Sequence, residues 1–76
     1  MNKERRKRIE SIIDKLQDLY TEIEELVDEE QDALDNMPES MQEGPRGEAM
    51  QSAVDALTDA QSDVQNAVFY LQSAVE

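Results

Sequence analysis

The sequence predicts an all-α protein: an antiparallel two-helix hairpin, coiled-coil-like, that dimerises into a four-helix bundle. Three observations predict it. Between Ile9 and Met37, apolar residues recur at three positions of every seven, while Asp, Glu, Gln and Lys fill nearly everything else. The same spacing returns from Met50 to Val75, and both prolines and both glycines fall between positions 38 and 47. Apolar residues at three positions in seven form the stripe of a long amphipathic helix, and clustered Pro and Gly mark the turn between two of them.

The 76 residues are read as one domain, with helix one over about 2–36, a turn at 37–44 and helix two over about 45–75. Helix one opens at Asn2, a residue suited to N-capping. Its apolar rows are Ile9, Leu16 and Ile23; Ile12, Leu19, Leu26 and Ala33; and Ile13, Tyr20, Val27 and Leu34. Its basic first turns oppose the helix dipole, which favours acids at an N-terminus. An antiparallel partner helix would offset this by placing its C-terminal carbonyls and Glu76 alongside.

The turn starts at Asn36-Met37-Pro38, where proline disfavours helical geometry at the residue before it. Met37 and Met41 are spaced to share one side of it, where flexible thioethers can plug the open end of the hairpin. Gly44 reads as the N-cap of helix two and Pro45 as its first residue.

Helix two repeats Met50, Leu57, Val64 and Leu71; Ala53, Ala60, Ala67 and Ala74; and Val54, Gln61, Val68 and Val75. Four alanines in register predict an Ala-rich seam against helix one, with the helices about 8 Å apart. The Val54 row is then expected on the flank. The third apolar row on each helix exceeds what one seam can bury, and a twofold pairing of two hairpins is the smallest arrangement that closes it.

Composition narrows the chemistry. With neither Cys nor His there is no disulfide, thiolate or usual zinc ligand set. No cofactor is expected. Oligomerisation is left as the means of enlarging a small core. No apolar run reaches membrane-spanning length, and the basic start is not followed by a signal-peptide core, so the expected setting is the cytoplasm, with no membrane partner. General acid–base and nucleophilic catalysis lack a tuned titratable group and a cleft, so the chain reads as no enzyme. Asp28, Glu30, Asp32, Asn36 and Glu39 imitate calcium-loop offsets, but Ala33 stands where the loop needs glycine and no metal site is expected.

Charge supplies the candidate sites. The net −12 divides into +4 over Met1–Arg8 and −16 over the remainder. Such a field attracts basic proteins and disfavours nucleic acid over most of the surface. Ten acids lie between Asp14 and Asp35, about one per 3.2 Å of helix, close to the 3.4 Å charge spacing of one DNA strand. Asp14, Asp18, Glu22, Glu25, Asp28, Glu29 and Asp32 therefore form a candidate acidic face that imitates nucleic acid. Stacked like charges at Asp14, Asp18 and Glu22 cost helix stability, which a helix selected only for solubility would relieve with lysines. Val64, Val68, Phe69, Tyr70 and Gln72, in a stretch without charges, form a candidate interface with a second protomer or a target. Arg5, Arg6, Lys7 and Arg8 form an alternative basic site.

The basic opening Asn2-Lys3-Glu4-Arg5-Arg6-Lys7, the turn Asp35-Asn36-Met37-Pro38-Glu39-Ser40-Met41-Gln42 and the run Arg46-Gly47-Glu48-Ala49-Met50 resemble a group of small acidic helical-hairpin proteins. Phages and mobile elements of Gram-positive gut bacteria encode that group. The Gly44-Pro45 start of helix two departs from its Ser-type cap. The resemblance implies a setting in the cytoplasm of a bacterial host, and a role as inhibitor of a host defence or nucleic-acid-binding protein. No functional residue carries over from it. Three uses thus compete: a protein-binding inhibitor acting through the acidic face, a small RNA-binding dimer similar to the ROP family using the basic site, and a structural coiled coil.

Overall fold

The computed structural model describes all 76 residues and is helical throughout, with no strand: α1 (Lys3–Asp35), α2 (Glu39–Gln42) and α3 (Pro45–Val75). The all-α prediction holds.

Local chemistry sets each helix end. The Asn2 side chain accepts a hydrogen bond from the Arg5 backbone N–H at 2.8 Å, satisfying one of the donors a helix start leaves free. At the far end, the Asn36 N–H bonds the Asp32 carbonyl and the Met37 N–H bonds that of Leu34. Pro38 then stops the helix and heads the single turn of α2. The Gln42 side chain reaches back across this turn, donating to the Leu34 carbonyl at 3.1 Å and to the Met37 carbonyl at 2.8 Å. Gly44 caps α3 in extended geometry, Pro45 occupies its first turn, and the Gly44 carbonyl receives the Glu48 N–H. Met37 is half-buried at the turn, whereas Met41 is exposed.

The molecule measures 58 × 14 × 13 Å, with a Cα radius of gyration of 17.3 Å. A compact chain of this length has a radius near about 11 Å, so the shape is a rod. At 1.5 Å per residue α1 and α3 are about 50 and about 46 Å long, too long to lie end to end in that extent. They lie side by side and, given the short connection, run in opposite directions.

The buried core is thin: Ile13 and Leu34 from α1, Val54 and Val68 from α3, and the backbone of Gly47. This overturns one expectation. Ala53, Ala60 and Ala74 are exposed and Ala67 only half-buried, while the row expected on the flank (Val54, Gln61, Val68, Val75) is the one turned toward α1. Burial energy accounts for the change, since a valine hides two more carbons than an alanine, worth about 1.5 kcal/mol per site. The Val54 row and the half-buried Met50, Leu57, Val64 and Leu71 row together face α1, whose own inward rows are Ile13, Tyr20, Val27 and Leu34 and the half-buried Ile9, Leu16 and Ile23.

The two edges of this seam differ. Reversing one helix is a twofold rotation, so equivalent positions of α1 and α3 share an edge. One edge carries Glu10, Gln17, Glu24 and Gln31 with Gln51, Thr58, Gln65 and Gln72, and across it the Gln61 Nε2 donates to the Glu24 Oε2 at 3.4 Å. These long polar side chains shield the valine row. The opposite edge carries Ile12, Leu19, Leu26 and Ala33 with the alanine row, and leaves Ile12, Leu19 and Leu26 roughly half exposed. Apolar side chains at regular spacing are uncovered there.

Candidate interaction surfaces

The straight run of α1 gives it two unlike surfaces. Asp14, Asp18, Glu22, Glu25, Asp28, Glu29 and Asp32 are all exposed, and a helical period turns them away from α3. Asp18, Glu25 and Asp32 form the outermost row, Asp14 and Asp28 lie on its polar-edge side, and Glu22 and Glu29 border the apolar edge. The seven sequence-identified acids are therefore brought onto one outward surface of one helix. Because α1 continues to Asp35, the calcium-loop offsets of Asp28, Glu30, Asp32, Asn36 and Glu39 do not converge on a point. No three acidic side chains gather as metal ligands would.

The basic residues occupy the first two turns of α1, and Arg5, Arg6, Lys7 and Arg8 are all exposed. Their spacing sends them in different directions around the helix. Arg5 lies in line with Ile12, Leu19 and Leu26, and Arg5 and Arg8 flank an open depression of about 210 Å³ floored by Met1, Ile9 and Ile12.

The C-terminal candidates do not share one surface. Val68 is 1% exposed and belongs to the seam with α1, so it cannot serve another molecule. Val64 is half-buried beside the alanine row, and Gln72 lies on the polar edge. Phe69 projects outward from α3, and Tyr70, 77% exposed, borders the alanine row between Ala67 and Ala74. Adjacent positions on a helix diverge by about 100°, which is why a contiguous neutral stretch is divided among the core and two surfaces.

Near the turn, an open groove of about 340 Å³ is lined by Gln31, Leu34, Asp35, Gln42, Gly47, Glu48 and Gln51. Its glutamines are engaged locally: Gln31 donates to Asp35, Gln51 to Asp55, and Gln42 to the end of α1. It is part of the turn's framework. The sequence places Gly47 in the Pro- and Gly-rich break and Gln42 in the turn without a packing role for either; in the structure Gly47 lies within the first turn of α3. No helix is long and apolar enough to cross a membrane.

Comparison with protein families, curated proteins and solved structures gave no match.

Proposed function

We propose that this chain is a non-enzymatic protein-binding module, a helical hairpin that joins a second copy in a four-helix bundle and presents the carboxylates of α1 to a basic protein. The supporting observation is the division of α1: Ile12, Leu19 and Leu26 on one side, Asp18, Glu25 and Asp32 on the side away from α3. Apolar side chains at heptad spacing suit burial against more helix, while dense outward carboxylates stay free for a partner whose own surface is basic. The acid spacing is near that of a nucleic-acid strand, so the partner class is a protein that ordinarily binds nucleic acid. Inhibition of such a protein, or of a host defence factor, by a phage or mobile element is the role in which this surface serves.

The test is salt-dependent capture. Wild-type protein immobilised in a Gram-positive bacterial lysate should retain basic proteins that excess duplex DNA displaces. Replacing Asp18, Glu25, Asp28 and Asp32 by Asn or Gln should release them. Equal capture by both forms would overturn the reading. Retention of labelled RNA that vanishes when Arg5, Arg6 and Arg8 are replaced would substitute the RNA-binding role for it.

A further inference from the structure

The rod exposes more surface than a compact chain of its mass would. The accessible surface is 5711 Å², whereas a compact monomer of 8.7 kDa exposes about 4,700 Å², an excess of about 1,000 Å². Each partner in a standard stable interface buries about 800 Å². A second rod laid along the edge that exposes Ile12, Leu19 and Leu26 would remove area of that order.

The charges bordering that edge say which way the second copy lies. Along α1, the row beside Ile12, Leu19 and Leu26 reads Arg8, Lys15, Glu22 and Glu29, all exposed and seven residues apart. Two cations are followed by two anions, and the sign changes level with Leu19. Arg5, in line with Ile12, Leu19 and Leu26, adds to the basic end. A row whose sign reverses at its midpoint complements itself when turned end for end.

We infer that the occupant of this edge is a second copy of the chain, related by a twofold axis that crosses the rod at the level of Leu19. The inference rests on the bundle reading above and adds the axis. In this arrangement α1 runs antiparallel to the partner's α1, and Leu19 meets the partner's Leu19. Ile12 lies opposite the partner's Leu26, Arg8 opposite the partner's Glu29, and Lys15 opposite the partner's Glu22. On the other side of the bundle, the alanine rows of the two α3 helices face each other, and their small side chains allow close approach. An axis along the rod would instead set each α1 against the partner's α3 and gather both +4 ends at one pole. Only the crossing axis places both acidic α1 surfaces on one side of the bundle, as paired rows of carboxylates. That gives the proposed basic partner a surface two helices wide.

The chain has no cysteine, which makes single-cysteine cross-linking direct. Sedimentation of the wild-type chain should show a dimer, and oxidised Leu19→Cys should form a covalent dimer. Arg8→Glu with Lys15→Glu should weaken the dimer by about tenfold, as should Glu22→Lys with Glu29→Lys, and mixing the two variants should restore association as a heterodimer. If Leu19→Cys perturbs folding, the charge variants decide, since all four positions are exposed. A monomer at tens of micromolar would overturn the dimer together with its axis. A dimer in which the Leu19→Cys chain cross-links to an Ala67→Cys chain in preference to another Leu19→Cys chain would overturn the axis alone and leave the bundle standing. Neither outcome touches the acidic-face test, whose substitutions spare these four charges.

Discussion

Gly47 lies against the backbone of Gln42 so closely that a Cβ at position 47 would stand 2.6 Å from the Gln42 Cα and overlap its carbonyl. The contact joins the first turn of α3 to the last residue of α2, while the Gln42 side chain holds the end of α1. Two residues thus fix where the chain reverses, and with it the register of the whole seam.

Gly47→Ala is expected to destabilise the protein by about 1–3 kcal/mol, because backbone must move to admit the methyl group. Ordinarily the same substitution inside a helix stabilises by nearly 1 kcal/mol. The sign of the change in urea midpoint decides, and a gain in stability would mean that the close approach is absent.

Gln42→Ala removes two hydrogen bonds to the carbonyls of Leu34 and Met37 and should cost about 1–2 kcal/mol. Amide exchange should quicken first in the last turn of α1. Asn2→Ala, at the other end, should cost about 1 kcal/mol and fray only the first turn.

Val68→Ala should cost about 2 kcal/mol or more, since the side chain is buried between α1 and α3. Ala60→Ser, on the uncovered edge, should leave helix content at low concentration unchanged. Circular dichroism melts of the two variants separate the valine seam from one built on alanines, which would reverse the ranking.

Salt should stabilise the fold. The chain carries −12, and Asp14, Asp18 and Glu22, like Glu25 and Glu29, stack like charges on successive turns of α1. Raising ionic strength from about 0.01 M to about 0.15 M shortens the screening length from about 30 Å to about 8 Å, so the melting temperature should rise. A fall would mean that attractive pairs outweigh this repulsion.

Helix content and the places where helices begin and end were legible in the sequence, because they rest on local chemistry. Asn2 offers a cap, Pro38 forbids continuation, and Gly44-Pro45 suits a helix start. The outward acids were legible too, since a period of 3.6 residues assigns them to one side once the apolar stripe is known. Which apolar row of α3 faces α1 was not legible. Three rows were available, and the alanines looked like the seam because regular small residues permit close helices.

By itself, then, the sequence determined two long amphipathic helices, a break near Pro38 and a carboxylate-rich outer surface. The tertiary structure alone decided that valines rather than alanines fill the seam, and that Val68 is core while Tyr70 is surface. Periodicity reports how many rows want burial but not their order of preference, whereas packing ranks them by the area each can hide. The tight seating of Gly47 on Gln42 then fixes that ranking in place.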